Sequence, residues 1–316
     1  MRPRSDPGRD SKGARSDRVR AGDRILELDA GAGGPLIMGI VNTSPDSFSD
    51  GGRFATLQAQ LELARELLED GADILDIGGE SASTGRPAVS VEQEIERVVP
   101  LIEHVAGELG AIVSVDTYKP AVARAAIAAG ASIVNDVSAL RDPALAEICA
   151  QTGAALVLMH TRAAPKQRLQ DPDLYGEDVV GEVYAFLRGR IERALAAGVD
   201  REQLILDPGP DFAKTPAQTI ELLAGVGRLR ELGRPLLMAI SRKDFIGALT
   251  ERPPRGRLPG TLAALAHGVD AGARIFRVHD VAAAADYLKV RAALAGELQP
   301  QRDLALAEEH RYEPHP

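Results

Sequence analysis

Ala129-Gly130-Ala131-Ser132-Ile133-Val134-Asn135-Asp136 contains the unit that decides the fold. An Ala-rich amphipathic stretch ends at a glycine, as helices closed by a left-handed cap do. A short apolar run follows and terminates in two polar side chains. The same succession recurs on both sides. Apolar runs occupy residues 36–41, 74–77, 112–115, 132–134, 155–159, 203–206, 235–240 and 273–278. Glycines at 71, 130, 153, 198 and 272 each precede one of them, or its lead-in. Eight strand candidates, each followed by potential helix, are the arithmetic of a (β/α)8 TIM barrel, which takes about 250 residues as one domain. A doubly wound open sheet shares the alternation and is the alternative.

The chain has 316 residues, of which 45% are hydrophobic and only 3% aromatic, with no Trp. Ala, Leu, Val and Ile must therefore fill the core, as in a parallel sheet covered by helices. A polar, Arg-rich stretch over residues 1–22 reads as a disordered leader, residues 23–298 as the barrel, and 299–316 as a polar tail. A formal net charge of −9 speaks against a nucleic-acid surface. It leaves room for an anionic small molecule met by a few placed cations. The longest apolar run falls short of the roughly 18 residues of a membrane span. A single cysteine, Cys149, excludes an intramolecular disulfide and fits a cytoplasmic location.

The polar side chains gather at the ends of the apolar runs: Asn42, Glu80, Asp116, Asn135 with Asp136, His160, Asp207, Ser241 to Lys243, and Arg277 with His279. In a barrel these C-terminal strand ends form the face that carries chemistry. Arg277 and His279 alternate along one strand and so share a face, where they can grip an anion or form a structural ion pair, for instance with Asp280. Asn42 precedes Thr-Ser-Pro and suits either an oxygen ligand for Mg²⁺ or an Asx turn.

Those residues sit in recognisable strings. Met38-Gly-Ile-Val-Asn-Thr-Ser-Pro-Asp-Ser-Phe-Ser-Asp-Gly-Gly52, Asp76-Ile-Gly-Gly-Glu-Ser81, Ser114-Val-Asp-Thr117, Asn135-Asp-Val137, Leu158-Met-His160, Asp207-Pro-Gly209 with Phe212 and Lys214, Ser241-Arg-Lys243 and Arg277-Val-His-Asp280 follow in one order. The set resembles the dihydropteroate synthases, pterin-binding enzymes. The resemblance implies a transferase of folate biosynthesis. It would join 6-hydroxymethyl-7,8-dihydropterin diphosphate to 4-aminobenzoate and release diphosphate, with Mg²⁺ as cofactor, in a homodimer.

By the same resemblance, Asn42 stands at the Mg²⁺–diphosphate site, and Arg277 and His279 hold the diphosphate. Asp116, Asn135 and Asp207 take the pterin edge. Lys243 takes its carbonyl, while Met159 and Phe212 line the ring. Ser241, with the amides of the next helix, receives the aminobenzoate carboxylate. Asp116, Lys243 and Arg277 are the expected catalytic groups. Strand-end carboxylates bonding to nearby backbone N–H groups are the plain alternative for the three pterin contacts. His160, Glu80 and Asp136 are weaker candidates.

Three places depart from the family pattern. Residues 80–88 form a longer second loop, in which Thr84 and Arg86 take the roles of the family's Thr and Arg. With the glycines before it, the stretch over 78–87 reads as a mobile lid. Pro210-Asp211 replaces a small apolar–Gly pair, and its carboxylate is expected to pair with Lys214 or Lys243. Asp244 replaces a Ser and is expected to cap the following helix. A methyltransferase of the related pterin-binding barrels, or a catalytically weak paralogue, are the competing readings.

Overall fold

The computed structural model describes residues 18–28, 34–43, 56–81 and 87–311. Two short antiparallel strands, β1 (Arg18–Ala21) and β2 (Arg24–Glu27), precede eight parallel ones. These are β3 (Leu36–Asn42), β4 (Ile74–Gly78), β5 (Ile112–Asp116), β6 (Ile133–Asp136), β7 (Ala155–Met159), β8 (Leu204–Asp207), β9 (Leu237–Met238) and β10 (Ile275–Val278). The helices between and after them are α1 (Leu57–Glu69), α2 (Val91–Gly107), α3 (Pro120–Ala128), α4 (Ala144–Thr152), α5 (Val179–Ala196), α6 (Pro216–Ala224), α7 (Asp244–Thr250), α8 (Leu258–Asp270) and α9 (Val281–Leu294).

Strand order runs β8-β7-β6-β5-β4-β3-β10-β9, and a parallel bridge between Leu206 and Leu236 completes the ring. The barrel expected from the eight repeats is therefore what forms, and the open sheet is not. β9 is shorter than the apolar run 235–240. Pro235 has no N–H to give the ladder, but its carbonyl accepts from the Leu206 N–H at 2.9 Å. The five glycines read as helix ends all lie in the left-handed region, with φ from +77 at Gly153 to +117 at Gly130.

Two apolar layers hold the ring. Outward-facing strand residues such as Leu75, Val113 and Leu156 pack beneath the helices with Leu101, Val122 and Leu187. Inward-facing Met38, Ile74, Ile133, Val157, Ile205 and Ile275 fill the barrel itself. The inner layer also contains Val19, Ala21, Leu26 and Leu28, so the β1–β2 hairpin closes the barrel floor. This corrects the leader expected over 1–22: residues 18–21 are strand. Val19 and Ala21 alternate inward, while Arg18 pairs with Glu202 at 2.9 Å and Arg20 with Asp200. A two-residue turn at Gly22-Asp23, with Gly22 at φ +62, reverses the chain as primed hairpin turns do. Plugged below, the barrel offers its strand C-termini as the open face.

Candidate active site

Two adjoining cavities open on that face. The inner one, about 290 Å³, is lined by Asn42, Asp116, Asn135, Met159, Asp207, Phe212, Ser241, Lys243, Arg277 and His279. The outer one, about 500 Å³, shares Glu80, Ser81, Asp116, Val137, Phe212 and Lys243 with it and extends under residues 163–170. Strand ends thus bring ten of the expected site residues to one pocket. Thr84 and Arg86 lie outside the described residues, as do 44–55 of the first loop and 82–86 of the expected lid.

The electrostatic centre is a group that sequence reasoning missed. Asp76 sits in the middle of β4 and is fully buried. Its Oδ2 accepts from Arg277 Nε at 2.5 Å and from Asn135 Nδ2 at 3.1 Å. Arg277 Nη2 donates to Asp116 Oδ2 at 3.0 Å. The arginine's partners are thus Asp76 and Asp116. Asp280, the partner considered above, instead pairs with Arg242 at 2.6 Å. Two carboxylates share one guanidinium, so the pair carries an excess negative charge in a dry place. Burial, opposed by Arg277 and reinforced by Asp76, raises the Asp116 carboxyl to about 7. The signal for Asp76 was a lone carboxylate inside an apolar strand.

Around this centre, several acceptors and donors remain uncommitted. Asn135 Oδ1 and Asp76 Oδ1 are buried with no hydrogen-bond partner among the described residues. Asp207, 2% exposed, uses Oδ1 to accept from the Gly209 N–H at 2.7 Å, and burial raises its carboxyl. Lys243 Nζ stands 4.3 Å from the Phe212 ring centroid, and burial lowers its ammonium against the pull of Asp211 and Asp207. His279 places Nδ1 3.0 Å from Ser241 Oγ, and burial drives the imidazole down to about 3. It is therefore a neutral hydrogen-bonding group at pH 7.

The weaker candidates turn out to be braces. Asp136 accepts from the Ser138 and Leu140 N–H groups at 2.7 and 2.6 Å. Glu80 is held by Lys119 at 2.6 Å, Lys166 at 3.2 Å and the Val89 N–H at 3.0 Å. His160 is fully buried against Phe186, with Nδ1 2.8 Å from Lys214 Nζ.

Both aspartate departures are resolved differently from expectation. Asp211 forms no ion pair with Lys214 or Lys243. Its Oδ2 accepts from the Asp244 N–H at 2.5 Å and the Phe245 N–H at 3.4 Å, which caps α7 from a different loop. Asp244 is the first residue of α7 and not its cap, and its side chain turns outward to Arg257 at 3.0 Å. The first amides of α7, expected to meet a substrate carboxylate, already hold one of the protein's own.

Comparison with known proteins places this geometry. The model of the family described as pterin binding enzyme matches residues 38–279. A dihydropteroate synthase of Synechocystis sp. is 45% identical over 260 residues, covering 82% of this chain and 89% of that one. Two solved structures are similar throughout. Xanthomonas albilineans dihydropteroate synthase with 4-aminobenzoic acid superposes with a TM-score of 0.80 at 46% identity, covering 89% of this chain and 98% of that one. The same enzyme with 7,8-dihydropteroate gives 0.77 at 45%, covering 88% and 98%.

Proposed function

The chain belongs to the dihydropteroate synthases of the pterin-binding enzyme family, and from that membership we propose how its residues divide the work. It is a transferase that condenses 6-hydroxymethyl-7,8-dihydropterin diphosphate with 4-aminobenzoate to give 7,8-dihydropteroate and diphosphate. The arylamine nitrogen attacks the pterin methylene as the carbon–oxygen bond to diphosphate breaks. An arylamine is a weak nucleophile, so most of the task is stabilising charge as diphosphate departs.

One observation carries the assignment of roles: a single 290 Å³ cavity gathers the acceptors of Asn135, Asp116 and Asp207 and the cations Lys243 and Arg277 from separate strand ends. The pterin takes the inner cavity. Asn135 Oδ1 and the carboxylates of Asp207 and Asp116 accept its ring N–H and amino donors. Lys243 donates to its carbonyl, and Met159 and Phe212 cover its faces. Arg277 uses two of its five N–H groups on Asp76 and Asp116, leaving three for the leaving diphosphate. Neutral His279 adds a hydrogen bond there. The outer cavity accepts the arylamine, which reaches the methylene past Phe212 and Lys243.

Mg²⁺ belongs to this reading. No cluster of three His, Cys, Asp or Glu side chains among the described residues is arranged for an ion. The amide of Asn42 lines the inner cavity with no partner among the described residues. A lone amide oxygen suits an ion carried in on the diphosphate, to which Asn42 would supply one protein oxygen. When bound, it neutralises charge on the leaving group. A methyl-transferring pterin barrel has no diphosphate to hold, and the joint presence of Asn42, Arg277 and His279 at one cavity disfavours it.

Replacing Arg277 or Asn42 by Ala should impair use of the diphosphate substrate more than binding of free dihydropterin. Equal loss for both ligands would contradict the assignment. A homodimer is supported by Leu249 of α7 with Val290 and Leu294 of α9, apolar side chains 67%, 59% and 85% exposed. Sedimentation of a Leu294→Glu variant tests it: a monomer is expected, and an unchanged dimer places the interface elsewhere. Cys149 as the single cysteine supports a place in the reducing cytoplasm.

A further inference from the structure

Lys214 lies beneath the pocket, fully shut off from solvent between β8 and α6. Its Nζ donates to the Gly209 carbonyl at 2.9 Å and the Phe212 carbonyl at 3.0 Å, and it stands 2.8 Å from His160 Nδ1. Those three contacts occupy all three N–H groups of an ammonium. A buried cation is costly unless it is satisfied in this way. Burial lowers the ammonium to about 7, with Asp207 and Asp211 opposing that fall and Lys243 adding to it, and burial holds the facing His160 imidazole neutral.

The lysine closes a turn that the backbone does not favour. Gly209, Asp211 and Ala213 lie at φ +65, +65 and +51. The last two carry a Cβ that crowds the backbone in that region. A Cβ on Gly209 would fall 2.0 Å from the His160 carbonyl oxygen, so the turn is pressed against the end of β7. Two side chains leave this turn for the pocket. Phe212 packs against Lys243, and Asp211 reaches the N–H groups that begin α7, directly after Lys243.

We propose that Lys214 is a positioning residue, which acts through the turn at 209–213 to fix Phe212 and Asp211 beside Lys243 and so shapes the pterin wall. This rests on the inner cavity being the pterin site. Lys214 itself touches no substrate. Its removal lets the turn relax, so Phe212 no longer covers the ring and Lys243 loses its fixed neighbours. Phe212 and Lys243 line both cavities and Asp211 lines the outer one, so the effect falls on the pterin and extends to the arylamine.

The test compares wild type and Lys214→Met by steady-state kinetics with both substrates and by calorimetry with free 6-hydroxymethyl-7,8-dihydropterin. KM for the pterin diphosphate and Kd for free dihydropterin should each rise about tenfold, a loss of about 1.4 kcal/mol, and KM for 4-aminobenzoate should rise with them. A lysine that only stabilises the fold lowers Tm or the active fraction and leaves both KM values alone, which would overturn the proposal. Adding Ala213→Gly to Lys214→Met removes the Cβ at φ +51 and should recover about a third of the lost affinity on the logarithmic scale. No recovery refutes the turn as the route. Should Lys214→Met fail to fold, His160→Gln decides, because it leaves both carbonyl contacts. Its pterin Kd should rise a few-fold, and an unchanged Kd overturns the proposal. Wild-type protein that binds no dihydropterin would instead refute the pterin site itself.

Discussion

Asp76→Asn separates an electrostatic reading of this site from a purely steric one. In the wild type, Asp76 and Asp116 both lean on Arg277, at 2.5 and 3.0 Å. Asp116 titrates near 7 because burial and Asp76 outweigh Arg277. The sign follows directly. A protonated Asp116 is a weaker acceptor for a pterin donor, so dihydropterin affinity should fall as pH drops below about 7, by at most about tenfold per pH unit. Asparagine at 76 keeps the shape, removes one negative charge and leaves Arg277 to Asp116. Burial is the larger cause of the raised carboxyl, so Asp116 should drop by about one pH unit, or about 1.4 kcal/mol, without returning to the ordinary range. At pH 8.5 the variant should bind more weakly, since a charge-assisted hydrogen bond of about 1.5–3 kcal/mol no longer anchors Arg277. At pH 6 the deficit should shrink or reverse. Calorimetry with dihydropterin across pH 5.5–8.5 reads both effects, and Asp116→Asn should flatten the acid limb. An inflection that stays near 7 in Asp76→Asn, or survives in Asp116→Asn, would refute the reasoning.

Three further outcomes follow from other parts of the molecule. Asp207→Ala should lose about 1.5–3 kcal/mol of dihydropterin affinity with the fold intact; unchanged calorimetry would remove Asp207 from the site. Asp211→Ala strips α7 of its cap and should cost about 0.5–2 kcal/mol in urea denaturation, with an unchanged midpoint arguing that the contact carries no weight. Leu28→Ala opens a void in the barrel floor, where the side chain is fully buried, and should cost about 2–5 kcal/mol. Pterin affinity should be unaffected, because the pocket lies at the opposite end of the strands, and a coupled loss would show that the floor transmits to the site.

The period of the chain was plain to read because each structural unit repeats its own physics. Glycine at a left-handed helix end, a β-branched run and a polar strand end each have a local cause. The repetition then implies closure, and the strand-end residues from Asn42 to Arg277 converge on one cavity as that geometry requires. What stayed hidden depends on partners distant in sequence. Asp76 looks like an interruption of an apolar run until Arg277, 201 positions later, is seen donating to it. The hairpin was hidden by composition: Arg18 and Arg20 make the segment look like polar leader, and only their pairing with Glu202 and Asp200 frees Val19 and Ala21 to face inward. Asp211 and Asp244 were read as separate departures, yet the Asp211 carboxylate rests on the Asp244 N–H. A cap contributed by another loop has no local spacing to reveal it.

The most direct test of the whole account is a diphosphate-release assay. The full chain is supplied with 6-hydroxymethyl-7,8-dihydropterin diphosphate, 4-aminobenzoate and Mg²⁺, and dihydropteroate is quantified in parallel. The expected result is one diphosphate per dihydropteroate, no release without the arylamine, and in Arg277→Ala a loss of turnover larger than the loss of affinity for free dihydropterin. Folded protein that binds dihydropterin but releases no diphosphate when 4-aminobenzoate is added would contradict it.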